Sequence, residues 1–307
     1  YAIMPGRPCR NLYNPILIIR FVYPGFRRSA APDPSTLATP EEEIRMKGTI
    51  FDIQRFCLDD GPGIRTTVFL KGCMLRCAWC HNPESLSDKV QLAYYENKCV
   101  RCGKCREVCP NGVHSFTEDG IRQVHFSSCV ACGNCVRACP ADALALLGRS
   151  MEASDVIDQV MKDEAYYRHS GGGVTFSGGE PTMQFAFLKE LLQLAKAKGL
   201  HTCIETNGCL APARMKELLP LLDLVLLDYK MTDEDMHKRY VGIDRSVVLA
   251  TFAFMGEEKQ PVVLRAPIIP GLNDNEEHFA AIRALKAKYP NILRAQVMPY
   301  LTIGKGK

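Results

Sequence analysis

From residue 172 onward, short apolar runs alternate with longer stretches in which apolar residues recur every three or four positions. The runs at 173–176, 202–205, 222–227, 262–267 and 292–298 favour β-branched residues and predict strands. The intervening segments 184–198, 212–219, 233–240, 246–258 and 276–289 carry the helical period. In 184–198, Phe187, Leu188, Leu191, Leu192 and Ala195 share one stripe, which is read as core packing. Strands alternating with helices predict a parallel sheet with helical crossovers. A further strand at 66–70 completes six βα units. Six are too few for a closed eight-stranded barrel. The expected class is therefore α/β, a partial (β/α)6 barrel.

Two regions break the alternation. Residues 1–45 are rich in Pro, Arg, Ser and Ala without sustained periodicity. They are expected to be a disordered or non-native extension, with the native start at Met46. Residues 88–148 hold an internal repeat with a period of 30, visible as Cys99–Pro110 and Cys129–Pro140. This segment is expected to be a small domain inserted into a barrel built from 46–87 and 149–307. No helix follows the sixth strand, so a truncated C-terminus is expected.

Composition narrows the function class. The chain is 47% hydrophobic and 23% charged, with a formal net charge of +4. That balance is globular and gives no reason to expect nucleic acid. The apolar run at 16–19 stops at Arg20, far short of the ~20 residues of a membrane span. With no secretory pattern, a cytoplasmic monomer is expected. Fifteen cysteines change the picture. In a long chain without a secretory signal, tight cysteine clusters read as metal ligation rather than disulfides.

Each repeat reads C-x2-C-x2-C-x3-C-P: Cys99, Cys102, Cys105 and Cys109, then Cys129, Cys132, Cys135 and Cys139. Structural zinc is the alternative, because C-x2-C pairs also form zinc knuckles. Two complete runs with trailing prolines favour iron–sulfur clusters. The segment resembles bacterial two-cluster ferredoxins, in which the last cysteine of each run serves the other cluster. The resemblance implies one [4Fe–4S] cluster on Cys99, Cys102, Cys105 and Cys139, and a second on Cys129, Cys132, Cys135 and Cys109.

A third group, Cys73, Cys77 and Cys80, has C-x3-C-x2-C spacing after a strand, with Trp79 before the last cysteine. Three thiolates leave one iron open, as catalytic metal sites do. Polar residues recur at successive strand ends: Gly178, Gly179 and Glu180, then Glu205 and Thr206, then Asp228 and Lys230, then Arg265. Any one could be an ordinary strand-end residue, but their recurrence favours a common site.

These motifs resemble the radical S-adenosylmethionine (SAM) superfamily. The segments 48–54, 60–66 and 69–73, and the run from Cys80 through Asn82 to Glu84, are similar to its glycyl-radical-enzyme activating family. The resemblance covers 46–300 and places the chain with members that carry two extra ferredoxin-type clusters. It implies three [4Fe–4S] clusters, with SAM on the Cys73/Cys77/Cys80 cluster held by Asn82, Glu180, Asp228, Lys230 and Arg265. A cation beside SAM, bound by Glu205, Thr206 and Asp228, is also implied. The implied partners are a flavodoxin or ferredoxin donor and a glycyl radical enzyme of dehydratase, decarboxylase or choline-lyase type, from which a 5′-deoxyadenosyl radical abstracts hydrogen. Members often carry His after the Pro-Tyr of the last strand, whereas Leu301 follows Tyr300 here. His81 reads equally as a neighbour of adenine or as a loop residue. Cys9, Cys57, Cys203 and Cys209 are read as small hydrophobes. The competing readings are a radical SAM enzyme for a small molecule or RNA, and an electron carrier without a SAM pocket.

Overall fold

The computed structural model describes residues 46–300. The expectations for 1–45, Cys9, Leu301 and the C-terminal end lie outside the described residues. In chain order the regular elements begin with β1 (Lys47–Cys57), β2 (Arg65–Leu70), β3 (Gln91–Tyr94), α1 (Lys104–Glu107), β4 (His114–Phe116) and β5 (Arg122–Val124). Next come α2 (Asn134–Ala138), β6 (Leu144–Leu147), β7 (Arg149–Glu152), α3 (Ala153–Met161) and α4 (Glu164–Ser170). Then strands and helices alternate: β8 (Gly173–Gly178), α5 (Phe185–Ala197), β9 (His201–Thr206), α6 (Pro212–Leu218), β10 (Leu224–Asp228), α7 (Glu234–Tyr240) and α8 (Arg245–Glu257). The last elements are β11 (Val262–Ile268), α9 (Glu276–Lys288) and β12 (Ile292–Pro299).

The main sheet has eight strands in the order β12-β11-β10-β9-β8-β2-β1-β7. The pairings from β2 through β8, β9, β10 and β11 to β12 are all parallel. These are the six strands of the expected βα units. The antiparallel strands β1 and β7 extend the β2 side; a strand directly after Met46 was legible, whereas β7 escaped the sequence pattern. β7 spans only Arg149–Glu152, and β1 ends in an exposed stretch that breaks alternation.

Every residue of β10 is buried, as expected for a strand covered on both faces. Val225 and Leu227 face the large core, against Leu188, Leu191, Leu192, Met215 and Phe252 of the helices. Leu224 and Leu226 face the other way, beside Cys203 and Val263. Helix starts are fixed by caps: Asp233 accepts from the Met236 amide and Asn275 from the His278 amide.

Residues 91–147 fold apart from the main sheet, as two two-stranded sheets, β3-β6 and β4-β5, with α1 and α2 between them. The 30-residue repeat is a backbone repeat too. Gly103 and Gly133 precede the two short helices with φ of +78° each, a conformation open to glycine without strain.

Candidate active site

The inward side of the parallel strands changes character along its length. Side chains alternate faces, so Glu205 shares its face with Cys203, Asp228 with Leu226, and Arg265 with Val263. The apolar members fill the lower interior. At the C-terminal ends, Ser177, Glu205, Asp228 and Arg265 line a cavity of about 240 Å³, far more than the ~15 Å³ one water needs.

The opposite wall is the loop after β2. It carries Cys73, Cys77, Trp79, Cys80 and Asn82, all of which line the same cavity. The Gly72 amide donates to Ser85 O at 2.7 Å, and the Ala78 amide donates to Tyr240 O at 2.9 Å. Leu75 and Trp79 anchor the loop in a small apolar cluster with Met231, Val241 and Ile269. Burial pushes the Cys73 thiol up to about 11 and raises Cys77 as well. Such thiols ionise on binding a metal, whose charge replaces the missing hydration.

Gly178 and Gly179 form the edge where β8 meets this loop. At Gly178, with φ +126°, a Cβ would fall 2.1 Å from Leu70 O; at Gly179 it would fall 2.5 Å from Gly72 O. Only glycine lets the two segments approach this closely.

Charge is organised around β10 and β11. Lys230 Nζ lies 2.6 Å from Asp228 Oδ2. Burial opposes the Lys230 charge, yet Asp228, Cys77 and Glu205 raise its pKa. Asp228 Oδ1 is buried and has no hydrogen-bond partner. Arg265 reaches Glu205 at 2.9 Å and Asp60 at 3.4 Å, while Ser177 Oγ donates to Glu205 at 2.6 Å. Thr206 lines the cavity too. His81 stacks on Tyr300 at the wall, with ring centroids 5.5 Å apart.

Glu180 lies behind the cavity wall. The resemblance implied a direct SAM contact, but the carboxylate is fully buried and does not line the cavity. Oε1 accepts from the Thr182 amide and hydroxyl and from Thr206 Oγ1; Oε2 accepts from Thr206 Oγ1 and from the Asn207 amide at 2.8 Å. With its lone pairs taken up beneath the wall, Glu180 ties the end of β8 to the end of β9. Sequence reasoning gave no role to Asn207 or Tyr300, both of which line the cavity, or to Asp60. Asp60 accepts from Thr67 Oγ1 and pairs with Arg265. Asp60 opens the 60–66 segment and Asn207 directly follows Thr206, so their signal was present.

In 91–147 the cysteines ring two further hollows. Cys99, Cys102, Cys105 and Cys139 line one, and Cys109, Cys129, Cys132 and Cys135 line the other. The fourth cysteine of each run thus stands with the first three of the other run. Among the described residues, no three His, Cys, Asp or Glu side chains close on a single-ion site. Cys203 is buried, and Cys57 and Cys209 are partly so.

Three thiols on one loop, with no fourth among the described residues lining the cavity, fit a cluster that keeps one iron open. The facing cations and the unpartnered Asp228 Oδ1 fit an amino-acid head group. The profile of the radical SAM superfamily matches residues 67–282. The chain belongs to the radical SAM superfamily. Membership brings with it a [4Fe–4S] cluster and SAM. Within the superfamily the protein groups with activating enzymes. The (2S)-3-sulfopropanediol dehydratase activating enzyme of Klebsiella oxytoca is 40% identical over 266 residues, covering 85% of this chain and 84% of that one. The isethionate sulfite-lyase activating enzyme of Desulfovibrio desulfuricans is 38% identical, covering 86% of each. The choline trimethylamine-lyase activating enzyme of Oleidesulfovibrio alaskensis is 38% identical, covering 86% of this chain and 87% of that one. Among the described residues no helix is long and apolar enough to cross a membrane.

Proposed function

We propose that this radical SAM protein is a glycyl-radical-enzyme activase that binds SAM in the 240 Å³ cavity and carries two further [4Fe–4S] clusters in a ferredoxin-like insert, 88–148. One juxtaposition carries the reading: the three-thiol loop and the charged strand ends share one cavity. Cys73, Cys77 and Cys80 would hold the cluster, which supplies the electron that splits SAM to methionine and a 5′-deoxyadenosyl radical, the species that takes hydrogen from a partner's glycine.

The remaining work belongs to side chains. Lys230 and Arg265 offer positive charge to the SAM carboxylate, and Asp228 Oδ1 accepts from its ammonium. Asn82, beside the last cysteine, adds a neutral donor and acceptor. Glu205, Thr206 and Asp228 supply oxygens for a cation beside SAM. Leu75 and Trp79 keep the back of the thiol loop dry. Glu180 fixes the spacing of the β8 and β9 ends on which these groups stand.

The insert's two thiol rings receive electrons from a reduced flavodoxin or ferredoxin. Oxidation-sensitive thiols favour the reducing cytoplasm, and the working unit is a monomer. The relatives act with a dehydratase, a sulfite-lyase and a trimethylamine-lyase at nearly level identity, 38–40%. Overall identity therefore does not choose the partner. The test is to incubate the reduced, SAM-loaded protein with a panel of glycyl radical enzymes and record EPR spectra. A glycyl radical on one member supports the reading, and SAM cleavage without a radical on any panel member favours a small-molecule substrate.

A further inference from the structure

The two thiol rings in 91–147 are related by the 30-residue repeat but are not equal in charge. Arg122 lines the ring of Cys99, Cys102, Cys105 and Cys139. Thirty residues earlier the equivalent position is Leu92, which lines the other ring. The two sit on corresponding strands, β5 and β3, whose partners β4 and β6 are themselves 30 residues apart. A second pair repeats the contrast: Arg101 lines the first ring where Ala131 lines the second.

Arg122 is held in place. It is 8% exposed, and its guanidinium carbon sits 4.2 Å from the centroid of the Tyr94 ring. Nη2 donates to His114 Nδ1 at 2.9 Å, since a guanidinium can only donate. Nη1 points at Cys99 Sγ, 3.9 Å away. Nε is buried without a hydrogen-bond partner. Among the described residues, no carboxylate lines either ring.

Reduction adds one negative charge to an iron–sulfur cluster. Cluster potentials follow net charge, hydrogen bonds to sulfur and exposure. A buried cation stabilises the reduced form, strongly so where the dielectric is low. We propose that Arg122 raises the reduction potential of the cluster on the Cys99 ring above that of its sister, so the first electron delivered to the insert rests there. The inference depends on the reading of the insert as a two-cluster domain. The step is a one-electron uptake from the same low-potential reductant that serves the whole protein.

The test is a redox titration of the anaerobically reconstituted full chain, followed by EPR, with iron and sulfide counted first. Fewer than about twelve irons in the unaltered protein would defeat the two-cluster reading of the insert, a separate failure from that of the inference. With about twelve present, the insert must show two distinct midpoints, and equal midpoints would overturn the inference without any variant. Arg122→Leu should lower one midpoint by a tenfold change in the oxidised-to-reduced ratio or more, about 59 mV for one electron. Arg122→Lys should keep most of the original value. Arg122→Gln, which removes the charge but keeps an amide donor, should fall like Leu. Unchanged midpoints in the neutral variants at full iron content would overturn the inference.

Discussion

Lys230 Nζ stands 2.6 Å from Asp228 Oδ2 at the head of β10, while the second oxygen of Asp228 has no hydrogen-bond partner. Both side chains are mostly buried, 18% and 12% exposed. A buried pair broken on one side leaves an uncompensated charge, worth about 3–5 kcal/mol. Asp228→Ala should therefore destabilise the protein by about 3 kcal/mol in urea melts. Asp228→Leu/Lys230→Met should recover most of that loss, yet calorimetry should find no SAM binding. Equal SAM affinity in the double variant would remove the pair from the binding site.

The same pair has a pH signature. Asp228, Cys77 and Glu205 outweigh burial and hold Lys230 above its ordinary 10.5. A raised lysine pKa stabilises the fold fully below the unfolded value and is lost only as pH rises through the folded one. Burial raises the pKa of Asp228, so the pair's contribution should be flat above the titration of Asp228 and up to pH 9. A difference between the stabilities of the native and double-variant proteins that changes across this range would contradict it.

Arg265 bridges Glu205 and Asp60 from β11. Hydrogen bonds to charged groups contribute about 1.5–3 kcal/mol, and the planar fork is not reproduced by lysine. Arg265→Lys should weaken SAM binding roughly tenfold and Arg265→Met roughly a hundredfold. Unaltered affinity in both would assign Arg265 to wall architecture alone.

Glu180 is fully buried, and amide donors point at both of its oxygens. In Glu180→Gln the new NH2 group must face one of those amides. The variant should lose about 2 kcal/mol of stability and weaken SAM binding indirectly, with iron content unchanged. Full stability in Glu180→Gln would sink its positioning role.

The six parallel strands and most of their helices were legible because buried strands read as apolar runs and amphipathic helices as stripes. The inward polar positions were legible for a related reason: Glu205 and Asp228 fall near the C-terminal ends of β9 and β10, and Arg265 is the single charge within the apolar β11. β7 was too short to announce itself, and the setting of Glu180 was not legible. A strand-end carboxylate looks the same in sequence whether it faces a cavity or the amides of the next strand. That distinction depends on Thr182, Thr206 and Asn207 converging, which only the fold decides.

His278 offers an acid-side test. It stacks on Tyr229 at 5.5 Å and its Nδ1 lies 2.7 Å from Thr232 Oγ1. Burial pushes its pKa from 6.5 to about 4. The neutral ring therefore stabilises the fold above pH ~6.5, and that contribution is lost as pH falls toward 4. The thermal midpoint should drop between pH 7 and 5, less steeply in His278→Gln. His114, pushed to about 4 by burial and Arg122, should preserve part of the slope. An unchanged slope in His278→Gln would contradict this assignment.

The most direct test of the whole account is anaerobic. The protein is reconstituted, its iron and sulfide are counted, it is reduced, SAM is added, and 5′-deoxyadenosine is measured. The expected result is about twelve irons per chain with SAM-dependent 5′-deoxyadenosine, falling to about eight irons and no product when Cys73, Cys77 and Cys80 are replaced by alanine. A fully loaded protein that forms no 5′-deoxyadenosine, or one that takes up zinc and no iron, would contradict it.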